Sequence, residues 1–140
     1  MAPMAALTSR PAGVAARLDP IPVAWGGLAA SLGLMIGAGR DWPVRLLTAA
    51  LSFGIGGFLA GVRASGRRVA HAVGAWVAGY AIHACFIILA RIIDAVGGPA
   101  APALVAGSGE RWLYALGWSF LMALAGGLLA NSWLRPAGRR

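Results

Sequence analysis

The chain has 140 residues, of which 59% are hydrophobic and only 11% are charged. A soluble domain needs about 25% charged residues to cover its surface, so this composition excludes a water-soluble globular domain and favours a protein surrounded by lipid. The net charge of +8 does not indicate nucleic-acid binding, because the arginines flank apolar stretches instead of forming one basic face. We therefore expect a lipid bilayer and no nucleic acid as the surroundings of this chain.

Four apolar segments occupy most of the chain, and each is close to the roughly 20 residues that a helix needs to cross a bilayer. They predict membrane spans at residues 21–39, 46–62, 69–93 and 112–134. The remaining parts are an N-terminal tail at 1–20, an outer loop at 95–110 and a basic C-terminal tail at 135–140. The predicted fold is an all-α integral membrane four-helix bundle over residues 21–134, with antiparallel neighbours.

The arginines predict the orientation of the bundle. Four spans place both termini and the turn between spans two and three on one side, and that side carries eight of the twelve basic residues, all of them arginine. Because arginine-rich short loops stay in the cytoplasm, both termini are expected to be cytoplasmic. A cleaved signal peptide is the alternative, with Arg10 and Arg17 before the apolar segment and small residues at 37–39. Cleavage would leave three spans.

The outer loop contains no charged residue between positions 95 and 109. Pro99 and Pro102 disfavour a regular spanning helix in this stretch, so we expect a loop on the outer surface. A re-entrant loop is the alternative, and it would need protein around its backbone at membrane depth.

Small residues spaced four apart predict the faces on which the helices pack. In lipid, apolar side chains gain nothing by leaving one apolar environment for another, so close backbone contact must hold the helices together. The residues assigned to these faces are Gly33, Gly37, Gly57, Gly61, Ser119, Ala123, Gly127 and Asn131. A substrate groove lined by glycine backbone is the alternative interpretation.

The tryptophans fall into two groups. One group lies near predicted span ends, where aromatic rings favour the headgroup layer, and Tyr114 is assigned with it; its tryptophans are Trp25, Trp42, Trp112 and Trp133. Trp76 and Trp118 lie deeper in their spans and are predicted to fill space between helices.

Span three carries a polar stripe. At about 100° per residue its members fall within an arc of roughly 80°; they are Trp76, Tyr80, His83, Arg91 and Asp94. An ionisable residue inside a span is a candidate for function, and His83 is the most central one. It could bond Ser119, Asn131 or a carbonyl, serve a proton or ion path, or contact a partner. Arg91 and Asp94 are spaced to pair, as a clamp or as a gate.

No residue pattern predicts a cofactor, a metal or catalysis. His71 and His83 are twelve residues apart on one predicted helix, about 18 Å at 1.5 Å per residue, so they cannot bind one metal ion. The chain contains no zinc spacing, phosphate loop or nucleophile with its base. His71 itself is expected in the headgroup layer. At the same end of the bundle, Arg63, Arg67 and Arg68 are predicted to contact anionic lipid.

Two glycine-rich stretches resemble a known family. Residues 51–66 read LSFGIGGFLAGVRASG and precede a span that opens with His71 and Gly74, and residues 125–131 read AGGLLAN. Together they resemble the YrzE-like family of small four-span bacterial membrane proteins. In that family a GG-x-x-AG segment ends span two before a short basic turn, and a second GG lies in span four. The resemblance implies a four-span topology and a bacterial plasma membrane, and it implies no activity.

The small-residue packing faces, together with the lack of a residue pattern for catalysis, favour one function. We expect a structural or accessory subunit that packs with itself, as a homo-oligomer, or with a larger membrane complex. The alternative is a small oligomeric transporter or channel with a polar path along span three.

Overall fold

The computed structural model describes residues 18–97 and 109–134. It contains four helices: α1 (Pro20–Gly37), α2 (Trp42–Arg63), α3 (Arg68–Ala95) and α4 (Gly109–Trp133). By length and composition, all four are apolar enough to cross a membrane, so the predicted all-α four-helix bundle is confirmed. The largest boundary difference is at α2, which begins at Trp42 rather than at residue 46. Both predicted tails, apart from residues 18–20, and residues 98–108 of the predicted outer loop lie outside the described part.

Local sequence signals set the beginnings of α1 and α2. The Asp19 carboxylate accepts a hydrogen bond of 3.1 Å from the backbone N–H of Ile21, and Pro20 occupies the first turn, where no donor is needed. Pro43 has the same place in α2. Between the two helices Gly39 has a φ of 74°, which glycine adopts without steric cost. The joint between α1 and α2 is therefore short and sharply turned.

The helices form a four-sided arrangement in which α1 and α4 stand opposite each other. Within the described residues α1 contacts α2 and α3, α4 contacts α2 and α3, and α1 does not contact α4. Successive helices are antiparallel, as expected. However, Gly27 of α1 lies against Ala78 of α3, and Gly57 of α2 lies against Ala123 of α4. These two pairs of helices run parallel, and the sequence did not predict their contacts.

The helices pack backbone against backbone. A Cβ atom added to Gly57 would overlap the carbonyl oxygen of Ala123, and one added to Gly126 would overlap the carbonyl oxygen of Gly54. Apart from Phe53, the buried hydrophobic residues of the described part are alanines. Van der Waals contact between such small residues is the main attraction available to helices in lipid.

The other glycines assigned to packing faces also lie at contacts between helices. Gly33 faces Ser52 and Gly37 faces Thr48, both of α2, while Gly61 faces Ala130 of α4 and Gly127 faces Ala72 of α3. The prediction for Trp118 is wrong: its side chain is 50% exposed on the outside of α4, whereas Trp76 does pack inside. The Trp118 ring instead lines an apolar surface pocket together with Leu46 of α2 and Leu121 of α4.

Candidate functional site

Ser119 of α4 is the centre of the interior polar network. Its side chain is 1% exposed, and its hydroxyl donates to the carbonyl oxygen of Leu116 at 3.0 Å. The indole N–H of Trp76 donates to the Ser119 oxygen at 3.0 Å, and the Tyr80 hydroxyl lies 2.9 Å from the same atom. Because Ser119 has one proton and gives it to Leu116, Tyr80 is the donor in its bond. Trp76 and Tyr80 of α3 therefore both donate hydrogen bonds to one acceptor, the Ser119 hydroxyl of α4.

Aromatic rings close the space around this network. The ring of Tyr80 stacks on Phe53 of α2 with 4.9 Å between centroids. Trp76 meets Tyr80 edge-on at 5.5 Å and Phe120 of α4 edge-on at 5.3 Å. Ala30 and Ala123 pack against the same cluster. The inner half of the predicted polar stripe is therefore a filled contact among all four helices.

His83 lies one turn further along α3 and has no comparable partner. Its side chain is 5% exposed, and its Nδ1 atom is buried without a hydrogen-bond partner. Of the alternatives for His83, a bond to Ser119 or Asn131 is not formed: Ser119 accepts from Trp76 and Tyr80, and Asn131 accepts from Arg68. A buried nitrogen without a partner has lost its hydration without compensation. Among the stripe residues, His83 is the buried one whose polar atom the fold leaves unsatisfied.

Arg91 and Asp94 lie near the C-terminal end of α3, beyond His83. Both are exposed, and neither forms an ion pair with a described residue; the expected pairing between them is not formed. α3 has 28 residues and is about 42 Å long at 1.5 Å per residue. It is therefore longer than the hydrocarbon layer of a bilayer, which is about 30 Å thick. The structure therefore divides the stripe into a filled inner part and an exposed outer part.

His71 forms a link between helices that the sequence did not indicate. The imidazole is 3% exposed; its Nε2 accepts the backbone N–H of Asp19 at 2.9 Å. Its Nδ1 lies 3.1 Å from the carbonyl oxygen of Arg67. Since Nε2 accepts, Nδ1 carries the proton and donates to Arg67. His71 thus lies inside the bundle, and it ties the beginning of α1 to the beginning of α3.

Replacing either buried histidine by leucine should change the free energy of unfolding, in opposite directions for His71 and His83. His71→Leu leaves the Asp19 N–H without its acceptor and should cost about 1–2 kcal/mol of unfolding free energy, whereas the Arg67 carbonyl still accepts the backbone N–H of residue 71. His83→Leu removes an unsatisfied nitrogen and should be neutral or stabilising. Thermal unfolding in mild detergent, followed by circular dichroism, measures both. Faster amide hydrogen exchange at Asp19 should accompany only His71→Leu; equal destabilisation by the two variants would contradict the assignment.

The described residues contain no group of three or more His, Cys, Asp or Glu side chains that could hold a metal ion. Comparisons with protein-family models, curated proteins and solved structures gave no match. The four apolar helices and their glycine-rich contacts define a multi-pass α-helical membrane protein. The resemblance to the YrzE-like family stays a prediction.

Proposed function

We propose that this protein is a structural or accessory membrane protein that associates with a second copy of itself through the outer half of α3. One observation carries the proposal: beyond His83, no described residue of α3 is buried, although the helix continues to Ala95. The segment at residues 84–95 is apolar around most of its circumference, and Ile88, Leu89 and Ile92 are each more than half exposed.

The composition of this segment suits a second copy better than lipid alone. Ala81, Ala84 and Cys85 are exposed and small, so another helix can approach the backbone closely. Arg91 and Asp94 are exposed charges without an ion pair among the described residues. At about 100° per residue both charges lie well away from Cys85 around α3, so a two-fold axis along the membrane normal would bring the small residues together and leave the charges at the side of the contact.

The transporter alternative has less support. A path along α3 would have to pass Trp76 and Tyr80, whose rings fill the centre of the bundle and whose donors are both used by Ser119. We also propose that the protein is not an enzyme, because these interior polar groups bond one another.

We further propose that both termini are cytoplasmic, as the distribution of the arginines supports. A bacterial plasma membrane is the proposed location, and it rests on the family resemblance alone.

The chain contains one cysteine, and it lies in the proposed interface. In native membranes, a short thiol-to-thiol crosslinker should convert a large part of the protein to a dimer through Cys85, because a two-fold axis places both thiols at the same depth. The dimer band on a denaturing gel is the measurement.

The control moves the thiol to another helix at similar depth. Because Gly27 lies against Ala78 and α1 runs parallel to α3, Ile36 of α1 lies near the level of Cys85. Ile36 is 69% exposed, so the variant Cys85→Ser with Ile36→Cys keeps one accessible thiol away from α3. It should give little dimer. Equal crosslinking of both proteins, or none by either, would rule out the α3 interface.

A further inference from the structure

We propose that the end of the bundle at the α2–α3 turn binds the headgroup of an anionic phospholipid through Arg63 and Arg67. The inference does not depend on self-association, and it extends the proposed function by naming a lipid partner. Of the three arginines predicted to contact anionic lipid, the proposed site uses Arg63 and Arg67 and leaves out Arg68.

Positive charge exceeds negative charge at this end of the described residues, with three arginines against one aspartate. Arg63, Arg67 and Arg68 lie within six residues of each other around the turn, and none forms an ion pair with a described residue. The acidic residue at the same end of the described chain is Asp19, and its carboxylate accepts the N–H of Ile21. Guanidinium groups favour phosphate because they present several donors in one plane.

The three side chains have different surroundings. Arg63 ends α2, is exposed, and places its guanidinium 5.6 Å from the ring centroid of Trp25 on α1. Arg67 is exposed in the turn, and its side chain bonds no described residue. Arg68 is partly buried, with its Nη1 3.5 Å from Oδ1 of Asn131 on α4. Arg63 and Arg67 are thus available to a headgroup, whereas Arg68 belongs to the contact between α3 and α4.

An apolar surface continues from this basic end along α1. Exposed apolar side chains recur on one face at spacings of three and four residues: Ile21, Trp25, Leu28, Leu32 and Ile36, each between 41% and 69% exposed. They extend over about 22 Å at 1.5 Å per residue. The face passes beside the Arg63 guanidinium at Trp25. Charge followed by a strip of hydrocarbon matches a phospholipid, whereas a free phosphate ion would use only the charge.

Native mass spectrometry of the full chain in neutral detergent tests the proposal. Phosphatidylglycerol should bind more tightly than phosphatidylcholine, and inorganic phosphate should not displace it. The double variant Arg63→Gln with Arg67→Gln should lower the affinity for phosphatidylglycerol about 30-fold, taking about 1 kcal/mol for each arginine. If that variant does not fold, Arg67→Gln alone should give about a fivefold loss, since Arg67 is exposed in a turn.

The matched control removes two arginines from the opposite end. Arg40 and Arg111 are exposed, and the Arg111 guanidinium lies 5.9 Å from the ring centroid of Trp42. Arg40→Gln with Arg111→Gln therefore has the same net charge and loses the same kind of ring contact. It should keep the affinity of the natural chain within about twofold, because the α2–α3 turn is unchanged.

Three results would overturn the proposal. Equal losses in the two double variants would mean that net charge alone attracts the lipid. Equal binding of phosphatidylcholine would mean that hydrocarbon contact alone holds it, and displacement by inorganic phosphate would indicate a site for free anions. Each result is independent of crosslinking at Cys85.

Discussion

Gly126→Val is expected to cost about 3 kcal/mol of unfolding free energy, near the upper end for overpacked sites. A Cβ atom at this position would overlap the carbonyl oxygen of Gly54 and lie 2.7 Å from the backbone nitrogen of Phe58. Both are backbone atoms of α2 and cannot turn aside as a side chain could, so α2 and α4 must separate. Thermal unfolding in mild detergent, followed by circular dichroism, measures the loss.

Gly117→Val is the matched control on the same helix. Gly117 is exposed, and no atom lies within 4 Å of its added Cβ position. The helix propensity of the two substitutions is the same, so only the contact with α2 distinguishes them. We expect the unfolding temperature of the control to stay near that of the natural chain. If Gly117→Val destabilised the protein as much as Gly126→Val, the close α2–α4 contact would be the wrong explanation.

Ser119→Ala is expected to cost about 2 kcal/mol, because it leaves the donors of Trp76 and Tyr80 without their acceptor in the interior. The same unfolding measurement applies. Ser132→Ala is the control on α4: Ser132 is exposed, and among the described residues its hydroxyl bonds only the carbonyl oxygen of Leu129 in its own helix. Ser132→Ala should change the free energy of unfolding by no more than about 0.5 kcal/mol.

A double-mutant cycle tests the network more strictly. Tyr80→Phe removes one of the donors that Ser119→Ala would leave unsatisfied, so the double variant should be more stable than the sum of the single effects predicts. A coupling of about 0.5–1.5 kcal/mol is expected for groups in direct contact. Strict additivity would mean that the Tyr80 hydroxyl and Ser119 act independently, against the 2.9 Å geometry.

The interior and the outer end of α3 make different contributions to the proposed function. The inner part joins three helices through Tyr80, Trp76 and Ser119, and it anchors α3 in the bundle. Beyond His83 the same helix buries no described residue. A rigidly held helix with a free outer half suits a protein that offers a surface to another membrane helix, because less conformational entropy is lost on association.

Some site residues could be predicted from the chain and others could not. The four-residue spacing singled out Gly57 and Ala123, which the structure places against each other. It did not single out Gly26 or Gly126, although each belongs to a Gly-Gly pair, and such pairs were an available signal. The bond between His71 and the Asp19 amide had no signal, because it depends on where two helices begin relative to each other.

The polar stripe shows where helical periodicity stops being informative. Periodicity places Trp76, Tyr80, His83, Arg91 and Asp94 on one side of α3, and it cannot tell which neighbours that side meets. In the structure, Trp76 and Tyr80 are packed among other side chains and His83 is buried. Arg91 and Asp94 are exposed.

The sequence by itself determined the number of helices, their approximate ends and their apolar character. Transfer into lipid depends on the length and composition of each segment, and the backbone must satisfy its hydrogen bonds within that segment. Only the tertiary structure decided that α1 lies beside α3 and α2 beside α4 as parallel pairs. Lipid and protein interiors are equally apolar, so hydrophobicity does not select partners; the fit of small-residue faces does.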